Sequence, residues 1–166
     1  MTGPPRAALV VLSDKASSGT RLDACLPVMR ENLPPGCVIV SEEIMADDRR
    51  ELESLLKLLC DRGTVDVVFT AGGTGLSPRD VTPQATLAIA DYEVPGIAEA
   101  MRQHSASKVP TAILSRAVAV VRKRTLIVNL PGSPKAVRET LAIINPVLRH
   151  AFELLRGSTA DHPGAG

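Results

Sequence analysis

A glycine-rich segment at residues 71–75 carries the clearest sign of chemistry in the sequence. It reads AGGTG, so that Gly72, Gly73 and Gly75 surround Thr74 directly after a short apolar run. Glycine adopts positive φ values readily, and successive N–H groups in such a turn can point inward and bind an anion. No Gly-Lys-Ser/Thr follows, and the glycine spacing differs from that of dinucleotide-binding folds. The segment therefore predicts a phosphate cradle, with a plain strand-to-helix turn as the alternative.

Carboxylates stand close to this segment and at a second place in the chain. Asp80 precedes Thr82 and Pro83, which suit the N-cap and the first turn of a helix. Asp47 and Asp48 form the second acidic position. Magnesium at nucleotide sites is usually held by one or two carboxylates together with substrate phosphates. Asp80 with one of the other two therefore predicts a magnesium site, while helix capping or an ion pair is the structural alternative.

A second segment suited to anions lies at residues 130–135, with the sequence LPGSPK. Pro131 and Gly132 form a turn, Ser133 is a candidate N-cap, and Lys135 adds a positive charge in the first helical turn. Helix N-termini bind phosphate through their free N–H groups, although an ordinary cap with a surface lysine is the alternative. Two phosphate-type segments with carboxylates between them suggest phosphoryl or nucleotidyl transfer between two phosphorylated ligands.

Apolar runs that alternate with helical patterns predict the elements that position these segments. Strands are predicted at residues 7–12, 37–44 and 65–70, followed by a hairpin of residues 117–121 and 125–128. The predicted helices cover residues 22–32, 48–63, 96–104 and 136–144, with one beginning at Thr82 and another restarting at Asn145 and Pro146. This order predicts an α/β fold with a mainly parallel, mixed sheet, helices on both faces and a late β-hairpin.

In an open α/β sheet, ligands bind beyond the carboxyl ends of the strands. Ser13 and Asp14 follow the first strand, and the acidic pair, the glycine-rich segment and residues 130–135 follow later strands. If these strands run parallel, their ends meet at one edge of the sheet. The sequence therefore predicts one site rather than four.

Composition excludes several other functions. The net charge of +1 and the three aromatic residues, Phe69, Tyr92 and Phe152, disfavour nucleic-acid binding. The apolar run at residues 7–12 is too short for a membrane span. Three cysteines without a C-x-x-C pair indicate neither a zinc site nor a disulfide framework and suit a cytoplasmic location.

Four stretches in the same order resemble the molybdenum-cofactor biosynthesis family. They are TAGGTGLSPRDVTP at residues 70–83, SDKASSG at 13–19, LSR at 114–116 and NLPGSPK at 129–135. The resemblance runs from about residue 7 to about residue 157. It implies one molybdopterin-binding domain spanning residues 1–166 with flexible ends, a three-layer α/β sandwich, and a homotrimer with a hexamer as the alternative.

The resemblance also implies an activity. In this family AMP passes from Mg-ATP to the terminal phosphate of molybdopterin, pyrophosphate leaves, and the product goes to a molybdate-inserting enzyme. A non-catalytic molybdopterin carrier in the same pathway is the alternative, and the sequence does not distinguish molybdenum from tungsten use. A dinucleotide oxidoreductase is disfavoured by the glycine spacing.

The family pattern implies roles for individual residues. Asp80 matches one functional aspartate of the family and is the first candidate for a magnesium ligand. Asp47 is the better match to a second functional aspartate. Because Ala46 stands where relatives often have proline, the choice between Asp47 and Asp48 stays open. The remaining implied nucleotide- or molybdopterin-binding residues are Ser13, Asp14, Gly72, Gly73, Thr74, Gly75, Ser115, Pro131, Gly132, Ser133 and Lys135. Which anion segment holds the nucleotide and which the pterin also stays open.

Overall fold

The architecture comes from a computed structural model that describes residues 3–157. Within these residues, six strands form one sheet with the order β2-β1-β3-β6-β5-β4. The strands are β1 (Arg6–Leu12), β2 (Val38–Met45), β3 (Val67–Ala71), β4 (Tyr92–Glu93), β5 (Ala119–Arg122) and β6 (Thr125–Leu130). The first four strands in this order are parallel, and β5 and β4 add antiparallel pairs. The predicted mixed sheet with a late hairpin is confirmed.

Helices cover both faces of the sheet, which makes three layers. They are α1 (Asp14–Ser17), α2 (Cys25–Glu31), α3 (Arg49–Asp61), α4 (Thr82–Ala88), α5 (Pro95–Ala106) and α6 (Pro134–Leu155), with a 3₁₀ turn at Pro110–Leu114. One apolar cluster joins Leu9 of β1 to residues of α2, α5 and α6, and a second joins Val10 to residues of α3 and α4. Successive side chains of β1 thus enter opposite cores, which explains why its apolar run is continuous.

The register of the parallel strands brings four strand ends to one level. Leu12 of β1 pairs with Met45 of β2, and the neighbouring Val11 pairs with Ala71 of β3. Ala71 in turn pairs with Leu130 of β6. The segments that follow these four strands therefore leave the sheet side by side.

Two helix predictions were wrong in detail. The helix predicted from residue 22 begins at Cys25, because Asp23 accepts hydrogen bonds from the N–H groups of Cys25 and Leu26 at 3.0 and 2.7 Å. The predicted break before Pro146 is absent, and α6 continues through it. Proline removes one helical hydrogen bond, but Leu141, Ile144 and Leu148 are buried along one stripe of the helix, and this packing keeps the helix continuous.

Residues 1–2 and 158–166 lie outside the described residues, so the predicted flexible termini and the extent of the domain stay predictions. Among residues 3–157, no helix combines the length and the apolar character needed to cross a membrane. Cys25, Cys37 and Cys60 are free thiols.

Candidate active site

Close contacts at the glycine-rich turn exclude larger side chains. Gly72 and Gly73 adopt φ values of +101° and +67°. A Cβ atom on Gly72 would collide with the carbonyl oxygen of Leu12, and one on Gly73 would collide with the hydroxyl of Thr82 and lie 3.0 Å from Oδ1 of Asp47. The turn therefore combines positive φ with close approach of three neighbouring elements, and both requirements select glycine.

Hydrogen bonds from two sides hold this turn in place. The N–H of Gly72 donates to the carbonyl of Leu130 at 3.2 Å, which joins the end of β3 to the end of β6. The hydroxyl of Thr82 donates to the carbonyl of Gly72 at 2.9 Å, and its N–H donates to the carbonyl of Gly73 at 3.1 Å. The prediction that Thr82 is the N-cap was wrong: Val81 occupies that position, and Thr82 is buried against the glycine turn.

The two phosphate-type segments lie in contact. A Cβ atom on Gly132 would stand 3.3 Å from Cα of Gly72, so the second turn packs directly on the first. Ser133 is the N-cap of α6 and accepts a hydrogen bond from the N–H of Ala136 at 3.3 Å. The predicted convergence at one edge of the sheet is present in the structure.

Three charged side chains form a linked group beside the turn. The N–H of Asp47 donates to Oδ1 of Asp14 at 3.0 Å, and the N–H of Asp14 donates to Oδ2 of Asp47 at 3.2 Å. Arg79 donates two hydrogen bonds to the Asp14 carboxylate, at 3.0 and 2.7 Å. These bonds tie the segment after β1 to the segments after β2 and β3. Ser13 belongs to the same region, where it caps α1 by accepting from the N–H of Ala16 at 3.2 Å.

The two linked carboxylates differ in their electrostatic surroundings. Hydrogen bonding from Arg79 lowers the pKa of Asp14 below its usual value. Burial is the main cause that raises the pKa of Asp47, and the neighbouring carboxylates of Asp14 and Asp80 add to it. Oδ1 of Asp47 is buried and has no hydrogen-bond partner within residues 3–157. Asp47 therefore presents a buried carboxylate oxygen without a hydrogen-bond partner at the glycine turn.

The structure separates Asp47 from Asp48. Asp48 is exposed and caps α3, where its carboxylate accepts from the N–H of Glu51 at 2.9 Å. Asp47 faces the glycine turn instead. The geometry thus gives Asp48 the capping position and places the Asp47 carboxylate at the glycine turn.

Asp80 closes the far end of the glycine loop. Its Oδ2 accepts from the N–H of Ser77 at 3.0 Å, and it would lie 2.9 Å from a Cβ atom placed on Gly75. Arg116 donates to the carbonyls of Gly75 and Asp80 at 2.8 and 2.7 Å, and its N–H donates to the carbonyl of Thr74 at 2.9 Å. The backbone carbonyls of Thr74 and Gly75 therefore anchor the loop to Arg116, and the Asp80 carboxylate lies on the inner side of the loop.

A cavity of about 270 Å³ adjoins the second turn. Its walls come from α5, the 3₁₀ turn and the start of α6, and they include the predicted residues Ser115, Pro131, Ser133 and Lys135. Met101 and small apolar residues line the cavity together with polar and charged side chains, among them Arg102, Glu139 and the buried Thr140. A cavity with this mixed lining can hold a partly polar organic ligand beside the N-terminus of α6.

Comparison with known proteins identifies the family. Residues 8–150, most of the chain, match the family described as "Probable molybdopterin binding domain". The chain belongs to this molybdopterin-binding family.

Similar proteins include named sequences and solved structures. The chain is 47% identical to molybdopterin adenylyltransferase of Haemophilus influenzae over 144 aligned residues. The alignment covers 85% of this chain and 73% of that protein. It is 48% identical over 139 residues to molybdopterin adenylyltransferase of Escherichia coli K12, covering 82% and 71%. The molybdopterin biosynthesis enzyme MoaB of Thermus thermophilus superposes with a TM-score of 0.87 at 46% identity, covering 92% and 97%. The tungsten cofactor synthesizing protein MoaB of Pyrococcus furiosus superposes with a TM-score of 0.82 at 30% identity, and the superposition covers 94% of this chain and 99% of that one.

Several site residues of this family member were missed by sequence reasoning. Arg79 and Arg116 were quoted in motifs but given no role, although each bonds to a predicted site segment. Asn129 was likewise given no role; its buried amide donates to the hydroxyls of Thr70 and Thr86 at 2.9 and 3.0 Å beneath the glycine turn. The available signal was their position inside the motifs.

Proposed function

We propose that this protein is a molybdopterin adenylyltransferase, which transfers AMP from ATP to the terminal phosphate of molybdopterin and releases pyrophosphate. The observation that carries the proposal is the contact between Gly72 and Gly132, since it joins two anion-binding turns at one place. Two phosphorylated substrates must meet there for a phosphate of one to attack the other. The 47–48% identity to relatives named molybdopterin adenylyltransferase supports the same reaction.

The two turns receive different substrates in this proposal. The glycine turn holds the ATP phosphates, and the cavity beside Ser133 holds the pterin. The partly apolar cavity supports this division, because a pterin ring fits it while the terminal phosphate reaches the N-terminus of α6. Lys135, which also lines the cavity, adds a positive charge for that phosphate.

The reaction needs positioning more than proton transfer. An oxygen of the molybdopterin phosphate bonds to the α-phosphorus of ATP as the bond from that phosphorus to the β-phosphate oxygen breaks. Pyrophosphate leaves with the electron pair. Because the attacking oxygen is already anionic, no general base is required. Backbone N–H groups of the two turns orient both phosphates and stabilise the charge that develops between them.

The acidic residues fit a magnesium ion. The unpaired buried Oδ1 of Asp47 and the raised pKa of that carboxyl are what a missing cation would relieve. Within residues 3–157, no group of three or more His, Cys, Asp or Glu side chains shares a metal position, and one or two carboxylates with substrate phosphates are the usual magnesium set. Asp47 and Asp80 would hold the ion, which supplies charge neutralisation at the reacting phosphates.

The direct test measures pyrophosphate release and adenylylated product from purified protein with molybdopterin, ATP and magnesium. Product formed at a rate dependent on both substrates supports the transferase. Tight molybdopterin binding without product would favour the carrier that the sequence left open, and neither binding nor product would contradict both.

Asp80→Asn is expected to lower kcat about 100-fold while substrate binding survives, since the change removes charge but little shape. Steady-state kinetics and calorimetric titration with molybdopterin measure the two effects. Asp91→Asn is the matched control, because its carboxylate also accepts a backbone N–H, that of Lys123 at 2.6 Å, but at the hairpin turn. Turnover at the wild-type rate in Asp80→Asn would remove Asp80 from the reaction.

A homotrimer is proposed as the assembly. Strand β2 lies at the edge of the sheet, and its apolar side chains Val38, Val40 and Ile44 are 46%, 46% and 41% exposed. Unprotected edge strands with apolar side chains usually mark an interface. Sedimentation equilibrium is expected to give three chain masses; a mass of six chains would indicate the hexamer, and a monomer would contradict the proposal.

Transfer of the product to a molybdate-inserting enzyme and a cytoplasmic location complete the proposal. The three free cysteines support the reducing location. Because similar structures include a tungsten cofactor synthesizing protein, the metal inserted downstream stays open.

A further inference from the structure

We propose that Arg116 is a positioning residue that couples the cavity to the glycine loop, so that each substrate strengthens the binding of the other. The inference rests on the proposed function for its kinetic consequence. Its structural consequence, ordering of the loop, is independent of which reaction the site performs.

Arg116 bridges two distant points of the loop. Its Nε donates to the carbonyl of Gly75 and its Nη2 to the carbonyl of Asp80, at 2.8 and 2.7 Å. A third bond, from its N–H to the carbonyl of Thr74, is 2.9 Å long. One residue thus fixes both ends of residues 74–80, the part of the loop that contains the Asp80 carboxylate.

Apart from this bridge, the main attachment of the loop is the pair of bonds from Arg79 to Asp14, and both of these side chains are exposed, where an ion pair contributes little. Residues 76–79 are exposed, and Gly75 carries no side chain that could pack. Within the segment, the contacts between Ser77 and Asp80 close a local turn but do not attach it to the sheet. A flexible loop would leave the Asp80 carboxylate poorly placed, and an error of about 1 Å in placement can cost about 100-fold in rate.

The same backbone segment is also held from the cavity. Arg102 of α5, which lines the cavity, donates to the carbonyl of Ala117 at 2.8 Å and to that of Ser115 at 3.4 Å. Ser115 and Ala117 line the cavity on either side of Arg116. A ligand in the cavity therefore restrains residues 115–117, and Arg116 passes this restraint to the loop. Ordering a segment once lowers the cost for the second ligand, and such coupling is reciprocal.

The first test is independent of catalysis. Hydrogen exchange followed by mass spectrometry is expected to show faster exchange in residues 72–80 of Arg116→Ala, with other regions as in the wild type. Arg122→Ala is the matched control, because Arg122 also donates to a backbone carbonyl, that of Ile89 at 2.9 Å, and to Asp61 at the opposite end of the β5–β6 hairpin. The control is expected to leave residues 72–80 unchanged.

The second test measures coupling. In the wild type, a saturating non-transferable ATP analogue is expected to tighten molybdopterin binding at least about 5-fold, and the reverse experiment to give the same factor. In Arg116→Ala the factor falls to about one, and kcat/KM for ATP falls about 100-fold. Arg116→Lys, which keeps the charge but cannot reach both carbonyls in the same way, gives an intermediate factor, and Arg122→Ala keeps the wild-type factor.

Three results would overturn the proposal: wild-type exchange in residues 72–80 of both Arg116 variants, no coupling in the wild type, or equal loss of coupling in Arg116→Ala and Arg122→Ala. If Arg116→Ala does not fold, Arg116→Lys decides by the same measurements. Loss of adenylyl transfer in the wild type together with the expected exchange pattern would contradict the proposed function and leave the loop-ordering role of Arg116 standing.

Discussion

Gly72→Ala is expected to lower the free energy of unfolding by about 3 kcal/mol and to reduce kcat/KM more than 100-fold. The added Cβ would collide with the carbonyl oxygen of Leu12, which belongs to the neighbouring strand and cannot rotate away. Gly72 also has a φ of +101°, which lies outside the regions that alanine prefers. Backbone strain and overpacking each cost about 1–3 kcal/mol, and both act here. Relief of the collision requires the glycine turn to move, and this displaces the phosphate-binding N–H groups.

A matched control separates strain from collision. Gly36 has a φ of +79°, but no atom lies within 4 Å of a Cβ placed there. Gly36→Ala should therefore lose only about 1 kcal/mol and keep its activity. Urea unfolding and pyrophosphate release measure both variants. If the two variants lose equal stability, the contact with Leu12 does not constrain the turn and the proposed reason for glycine at this position is wrong.

The central part of the fold could be predicted from local patterns. The continuous apolar run of β1 indicated a strand buried on both faces, and the alternation of strand and helix patterns predicted the helices that cover it. Strand β4, only two residues long, was not predicted because Tyr92 and Glu93 are exposed and carry no apolar alternation. The break expected at Pro146 was wrong, because the burial of Ile144 and Leu148 depends on elements far away in the chain.

The candidate site was predictable as a set of segments but not as a set of contacts. Parallel strands necessarily end at one edge, so the meeting of the Gly72 and Gly132 turns followed from the fold class. The bridge made by Arg116 joins residues 36 and 41 positions apart, and no local pattern shows such a bond. The different positions of Asp47 and Asp48 also needed coordinates, because either aspartate could have capped α3.

Asp47→Asn is expected to lower kcat about 1,000-fold and at the same time to stabilise the protein slightly at neutral pH. Burial raises the pKa of Asp47, so its ionised form is less favourable in the folded than in the unfolded protein. At a pH below the pKa that Asp47 has in the unfolded protein, the carboxyl is protonated in both states and its contribution to stability is fully present. This contribution is lost as the pH rises through the higher pKa that Asp47 has in the folded protein. At neutral pH the charge therefore opposes folding, and asparagine removes it while still accepting the bond from the N–H of Asp14. Because the side chain is only half buried, the gain is a few tenths to about 1 kcal/mol.

The opposite signs of the two effects make Asp47 a sharp test of the site. If the carboxylate only supported the fold, its replacement would make the protein less stable. If its charge serves the reacting phosphates, its replacement lowers the rate and makes the protein more stable. Asp48→Asn is the control, since asparagine caps helices as well as aspartate does and both measurements should stay at wild-type values. The stability difference between Asp47→Asn and the wild type should also shrink as the pH falls through the titration of Asp47. A variant with wild-type kcat, or one that is less stable than the wild type at neutral pH, would show that the unpaired oxygen of Asp47 does not serve the reaction.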